Sequence, residues 1–330
     1  MRDKTALYWD KRGDKIFCGL CPQECVIGDG MSGLCGARQN LKDRLVSKSY
    51  GILSAVNIDP VEKKPLYHFY PGSKTLSFGS FGCNLKCRFC QNFSISFSEP
   101  AGDIRLTPRE ALSFAYEKNI KLISYTYNEP LTNYEWVFEM SELAGKNGIS
   151  NILVTNGYIN EKPLKKLAKY IDAANIDLKA FDDDFYKRIC GGTLLPVLKT
   201  IELLAELKVH TEITNLVIDG ENEDEGNFFG LVNFIAGISD EIPLHLSRCF
   251  SNKNFAVART RKETLMKFYN TAKSKLKYVY LANSDSPEHG TTYCGNCSFP
   301  IIERIGYDVK INCENPGICP KCAAENNIIA

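Results

Sequence analysis

The stretch Ser80-Phe81-Gly82-Cys83-Asn84-Leu85-Lys86-Cys87-Arg88-Phe89-Cys90-Gln91-Asn92 decides how the rest of the chain is read. Its cysteines stand at the spacing C-x3-C-x2-C, directly after Leu76–Ser80, a run that reads as a strand. Three thiolates in such a loop can hold three irons of a 4Fe–4S cube and leave the fourth iron open. An open coordination position is where a metal centre takes its substrate. The competing reading is a zinc knuckle that lacks its fourth ligand. The aromatic Phe89 between the second and third cysteines, and the strand before the first, favour the cluster.

Outward from this trio, short β-rich runs alternate with amphipathic ones. The expected strands are Leu76–Ser80, Leu122–Tyr127, Asn151–Thr155, Asn175–Lys179, Glu212–Val217, Leu244–Ser247 and Tyr278–Leu281. Between them, Thr107-Pro108-Arg109-Glu110 is a capping box with proline at the first helical position. Thr260-Arg261-Lys262-Glu263 is a second box, and Gly148 marks the stop of a helix over Tyr134–Lys146. Strands alternating with helices of this length imply parallel strands joined by right-handed crossovers. The expected fold is α/β, a whole or partial β/α barrel, with a doubly wound open sheet as the alternative. Residues 1–70 read as a metal-stapled module and arm, 71–288 as the barrel, and 289–330 as a second cysteine-rich module.

The chain has 330 residues, 44% of them hydrophobic, with 40 basic and 39 acidic side chains. That balance offers no overall basic field for nucleic acid. No apolar run reaches the roughly 18 residues of a spanning helix, and after the opening Met1-Arg2-Asp3-Lys4-Thr5 no apolar run reads as a signal peptide. A cytoplasmic protein without membrane partners is expected. Its 14 cysteines are clustered as metal ligands are, and a secreted disulfide framework fits poorly. Cys18-x2-Cys21-x3-Cys25-x9-Cys35 fits either a closed zinc site or an auxiliary iron–sulfur cluster. Cys294-x2-Cys297-x21-Cys319-x2-Cys322 is a zinc-ribbon or rubredoxin-like quartet that suits zinc or a single iron. Cys313 is a spare that can replace a terminal ligand, and Cys190 and Cys249 read as small core residues.

The segment from Cys83 to Cys90 resembles the signature of the radical S-adenosylmethionine (SAM) superfamily. Wider stretches resemble its pyruvate formate-lyase-activating-enzyme-like branch, and most closely the AmmeMemoRadiSam system enzymes. They are Cys18-Gly19-Leu20-Cys21-Pro22, Asp59–Gly72, Gly82–Asn92, Tyr125-Thr126-Tyr127-Asn128-Glu129-Pro130, Val154-Thr155-Asn156-Gly157-Tyr158 and Asn175-Ile176-Asp177-Leu178-Lys179. The resemblance implies a partial (β/α)6 TIM-like barrel with SAM at the C-terminal edge of its strands. It implies an oxygen-sensitive oxidoreductase that takes one electron from a flavodoxin- or ferredoxin-type donor. Cys83, Cys87 and Cys90 would hold the cluster. SAM would chelate the open iron and be cleaved to a 5′-deoxyadenosyl radical that abstracts hydrogen.

The same resemblance suggests SAM contacts. Asn128-Glu129-Pro130 is similar to the Gly-Gly-Glu-type turn that meets the SAM amino group, although the departure from Gly-Gly leaves the contact open. Asp177 and Lys179 look like an Asp-x-Lys pair near the amino-acid portion; two residues apart on a strand, they share a face. A mutually satisfied buried ion pair is the alternative. His245 resembles a SAM-contacting histidine, against a structural one, and Asn156-Gly157 either lines the ligand or makes a tight turn. Val217-Ile218-Asp219-Gly220 would border the adenine. Glu62, Lys63, Lys64 and His68 are candidates to face the site, against a surface arm packed by Leu66, Phe69 and Tyr70. The substrate stays open: a glycyl-radical enzyme awaiting activation, or a small molecule, cofactor or RNA. The reading outside enzymes is a zinc-binding interaction protein whose cysteines are all structural.

Overall fold

The structure, a computed structural model, describes residues 4–98, 104–250, 259–282 and 286–330. Its centre is one sheet of eight strands: β1 (Ala55–Pro60), β2 (Lys74–Gly79), β3 (Leu122–Tyr125), β4 (Ser150–Thr155), β5 (Ala173–Asp177), β6 (His210–Val217), β7 (Leu244–Arg248) and β8 (Val279–Ala282). Strands β2 to β8 pair in chain order and all in parallel, and β1 adds to the free edge of β2 antiparallel. A doubly wound sheet reverses its strand order at a switch point. This sheet does not, so its crossovers progress one way, as in a β/α barrel.

Six helices make those crossovers: α1 (Pro108–Glu117), α2 (Tyr134–Lys146), α3 (Glu161–Leu167), α4 (Leu195–Glu206), α5 (Glu225–Ile238) and α6 (Lys262–Lys273). The cap of α1 forms as its sequence requires. Thr107 Oγ1 accepts from Glu110 N, and the Glu110 carboxylate accepts from Thr107 N. The second expected box does not form. Thr260 is buried, and its hydroxyl donates to Val217 O at 2.6 Å and accepts from Cys249 N at 2.8 Å. Those tertiary partners replace the local cap, and α6 begins after Arg261 without a side-chain cap.

The arm between β1 and β2 is not on the surface. Val61, Leu66 and Phe69 are buried against Leu122, Ile152 and Ala173, at the N-terminal ends of barrel strands. The segment therefore plugs the lower barrel, and the reading of a surface arm is corrected. Its backbone needs acceptors there, because a buried N–H without one is costly. The fully buried Glu212 carboxylate on β6 supplies them, accepting from Tyr67 N at 3.0 Å and His68 N at 2.8 Å. Asn175 Nδ2 on β5 donates to Pro65 O at 2.7 Å. Because β1 and the plug pack with the barrel, a boundary at residue 70 falls inside that packing.

Small antiparallel sheets flank the barrel. Trp9–Arg12, Lys15–Cys18 and Val26–Ile27 form one, and Arg38–Leu41 pairs with Arg44–Ser47. At the other end, Thr292–Tyr293, Pro300–Ile305 and Asp308–Ile311 form a third. Arg304 from this last sheet donates to Tyr67 O at 2.6 Å and lies 4.2 Å from the Tyr67 ring centroid, so the terminal module clamps the plug. Among the described residues no helix is long and apolar enough to cross a membrane.

Candidate metal and cofactor site

The loop after β2 carries the trio, and its path is set by close contacts. Gly82 has φ +89°, and a Cβ there would lie 2.6 Å from Cys35 O, so both backbone angle and space call for glycine. Lys86 N donates to Cys190 O at 2.7 Å and Arg88 N to Ile189 O at 3.0 Å. Asn128 holds the loop from β3, accepting from Ser80 N at 2.8 Å and donating to Gly82 O at 2.9 Å. Cys83, Cys87 and Cys90 thereby face a cavity of about 610 Å³ at the C-terminal ends of the strands, the edge where barrel chemistry sits.

The residues singled out after β3, β4 and β5 meet the trio on this cavity: Asn128, Glu129, Asn156, Asp177 and Lys179 all line it. Asn156 Nδ2 donates to Asn84 Oδ1 at 3.0 Å and approaches Cys83 Sγ at 3.6 Å. Glu129 is 3% exposed, and its carboxylate accepts from Leu131 N at 3.0 Å, Thr155 Oγ1 at 2.8 Å and Asn156 N at 2.8 Å. Burial pushes its pKa up to about 7 against the pull of those bonds. Lys179 Nζ bonds Asp177 Oδ2 at 3.1 Å. Burial alone would lower Lys179, but the Asp177 carboxylate beside it holds it well above the ordinary lysine value.

Two wall residues come from elsewhere. Lys63 and Lys64, carried in by the plug, reach the cavity with Tyr127 of the β3 turn. They converge on Asp59 of β1: Lys64 Nζ donates at 2.6 Å, Lys63 Nζ at 2.9 Å, and the Tyr127 hydroxyl also donates. Burial would raise the Asp59 carboxyl, but these donors hold it well below the usual carboxylate range. Tyr127 adopts φ +71°, a left-handed conformation that non-glycine residues rarely take and that tends to occur at functional sites. Its role had no sequence signal beyond its place in the Tyr-Thr-Tyr-Asn-Glu-Pro turn.

Three candidates lie away from the cavity. His245 is 1% exposed and its Nε2 bonds Glu212 Oε2 at 2.6 Å, one layer below Ser247, which does line the cavity. Both side chains share a face of β7, and only the one nearer the strand's C-terminal end reaches the opening. His68 is buried between Asn327 O at 2.7 Å and the Tyr280 hydroxyl at 2.6 Å. Glu62 accepts from Gly72 N at 2.8 Å and stands 3.6 Å from Arg304 Nε. Glu212, the shared partner of His245, His210 and the plug, has no motif around it in the sequence; a carboxylate within a buried strand is its one signal.

Burial raises the pKa of Cys83, with the nearby Glu129 adding to the effect, and burial raises that of Cys90 as well. Such thiols need a metal to draw off their protons. Three sulfurs of one loop on an adjoining cavity, with Cys190 behind Cys87 and outside the cavity's lining, suit a 4Fe–4S cluster with one open iron. Cys294, Cys297, Cys319 and Cys322 form a different kind of site. All four Sγ atoms lie within 4.8 Å of one another, with Cys294–Cys322 and Cys297–Cys319 at 3.6 Å. A tetrahedral ion with metal–sulfur bonds of about 2.3 Å needs sulfurs roughly 3.8 Å apart, so the quartet fits one zinc or iron ion. Cys313 is not part of this group. Cys190 and Cys249 are both buried. Cys18, Cys21, Cys25 and Cys35 line a small, largely enclosed cavity of their own.

Residues 78–232 match the Radical SAM superfamily. The chain is 39% identical over 315 residues to uncharacterized protein MJ0808 of Methanocaldococcus jannaschii, covering 93% of each. It is 23% identical over 181 residues to the pyruvate formate-lyase-activating enzyme of Staphylococcus epidermidis, covering 52% of this chain and 72% of that one. Among solved structures, Streptococcus suis SuiB bound to S-adenosylmethionine is similar in fold, with a TM-score of 0.52 at 16% identity over 68% of this chain and 53% of that chain.

Proposed function

This chain belongs to the radical SAM superfamily, with relatives among the pyruvate formate-lyase-activating enzymes, and from that premise we propose that Cys83, Cys87 and Cys90 carry the reaction. The observation that supports the reading is the trio's place: Cys83, Cys87 and Cys90 of one loop line a cavity together with Glu129, Asn156, Asp177 and Lys179. A 4Fe–4S cluster bound there would supply one electron to the sulfonium of SAM, releasing methionine and a 5′-deoxyadenosyl radical. Glu129 is the acceptor for the SAM ammonium, since a buried carboxylate gains a charge-assisted bond from it. Asp177 and Lys179 bind the amino-acid portion. Asn156 orients Cys83, and Lys63, Lys64 and Tyr127 face the substrate from the opposite wall. The electron comes from a flavodoxin- or ferredoxin-type protein, in the cytoplasm.

We place the chain in the AmmeMemoRadiSam group on the stretches quoted above. The hydrogen donor proposed first is a glycine Cα of a protein awaiting activation, which the similarity to activating enzymes supports. A glycyl radical signal on such a partner, seen by electron paramagnetic resonance, would distinguish it from a small-molecule, cofactor or RNA substrate. The chemistry itself is tested by anaerobic reconstitution, dithionite reduction and addition of SAM. 5′-Deoxyadenosine and methionine should form in equal amounts. A fully loaded cluster that yields neither would sink the proposal.

A further inference from the structure

The proposed chemistry makes no use of the four N-terminal thiols. Cys18 at the end of a strand and Cys21, Cys25 and Cys35 in the loops that follow converge, with Asn84 and Tyr158, on a cavity too small for a nucleotide or organic substrate. Two donors already reach sulfur there. Arg38 is 1% exposed, and its Nη1 donates to Cys18 Sγ at 3.3 Å and Leu7 O at 3.0 Å. Its Nη2 pairs with Glu135, and its Nε has no partner. A guanidinium is buried this deeply only among groups that offset its charge, and one carboxylate leaves it short of acceptors. Leu34 N also donates to Cys25 Sγ at 3.4 Å.

Spacing decides which centre these thiols suit. The terminal quartet shows what one ion requires: four sulfurs within 4.8 Å of one another. Among the described residues, no other set of three or more histidine, cysteine or acidic side chains is that close. The N-terminal four are wider, although they share one cavity, and so is the trio Cys83, Cys87 and Cys90. A cube hangs each thiolate on a separate iron, so its sulfurs stand further apart than around a single ion.

We propose that Cys18, Cys21, Cys25 and Cys35 ligate a second 4Fe–4S cluster, closed by four thiolates and seated directly behind the catalytic trio. The comparison with the terminal quartet stands without the function proposed for the trio. The two centres lie a single backbone layer apart. Cys35 O is the atom that a Cβ at Gly82 would meet at 2.6 Å, and Gln23 Nε2 holds Asn84 O at 2.8 Å. Gly82 and Asn84 both belong to the trio's loop, so the N-terminal centre supports that loop and stands in magnetic reach of the first cluster.

The test begins with the full chain purified anaerobically and loaded with ferrous iron and sulfide. Two cubes give about eight acid-labile sulfides per chain, whereas one cube gives about four. The variant Cys83→Ala/Cys87→Ala/Cys90→Ala should keep about four sulfides, with absorbance near ~400 nm that dithionite bleaches. In the reduced parent, the paramagnetic resonance signal should be broadened by interaction between two spins, and Cys18→Ser/Cys21→Ser should remove that broadening. Four sulfides in the parent, with none in the trio variant and one zinc beyond that of the terminal quartet, would overturn the assignment. Loss of sulfide from the parent's trio alone would instead count against the proposed function and leave the second cluster standing, so the two failures are distinguishable.

Discussion

Glutamine in place of Glu212 removes one charge and almost no volume from the centre of the barrel, which makes it a clean probe of how the plug is held. Each carboxylate oxygen accepts two donors. Oε1 takes His68 N at 2.8 Å and His210 Nε2 at 3.1 Å; Oε2 takes Tyr67 N at 3.0 Å and His245 Nε2 at 2.6 Å. Whichever oxygen becomes the amide nitrogen, an imidazole can present its other tautomer to it, but a backbone N–H cannot. One buried N–H is therefore left without an acceptor, at about 1–3 kcal/mol, and the remaining bonds lose their charge assistance. The sum is about 2–4 kcal/mol, directed at Tyr67 and His68. Amide hydrogen exchange of residues 61–70 is the assay, because it reads local opening. A loss of 2 kcal/mol means roughly 30-fold faster exchange at those amides, with the outer helices much less affected. Exchange within roughly threefold of the parent at both amides would refute the claim that Glu212 pins the plug.

Replacing Lys179 with methionine keeps its length and removes its charge. SAM affinity measured calorimetrically on loaded protein should fall about 10- to 100-fold, from one lost charge-assisted contact, with iron content unchanged. Gly82→Ala puts a Cβ 2.6 Å from Cys35 O at φ +89°; iron in both the trio and the N-terminal set should fall together, and unchanged iron would show that the loop can shift. Cys319→Ser should release one zinc or iron ion from the terminal site while leaving acid-labile sulfide as in the parent. Asp59 has a depressed carboxyl, so its ionised form stabilises the fold above the ordinary value of 3.8, and that contribution fades as pH falls below it. The stability gap between parent and Asp59→Asn, followed by thermal unfolding, should thus be flat from neutral pH to about 5 and narrow toward pH 3. A gap that widens in acid would reverse the assigned sign.

Much of this molecule follows from local pattern. The short β-rich runs mark seven parallel strands because each must face both the barrel interior and the helices, and that burial writes itself into composition. The Cys83–Cys90 spacing and the Cys294–Cys322 knuckles are legible for a similar reason: a metal site built from adjacent turns keeps its ligands close in sequence. Thr107 and Glu110 cap α1 because both partners lie within one turn. Where the partners are distant, local reading fails. Thr260 has the sequence of a cap and bonds β6 instead, and His245 has the look of a ligand contact and is held by Glu212 below the opening.

The same distinction separates the three cysteine sets. Their existence is a matter of chain spacing, while the width of each set is a matter of folding. Cys35 reaches Cys18 and the back of Gly82 only because Arg38 and Glu135 join the N-terminal hairpin to α2. Likewise, the burial of Val61–Tyr70 depends on Glu212 and Asn175, more than 100 residues away, offering acceptors to its backbone. Composition and periodicity identify which residues carry chemistry. Only tertiary structure sets their separations and neighbours, because long-range hydrogen bonds and buried charges place residues that no local interaction constrains.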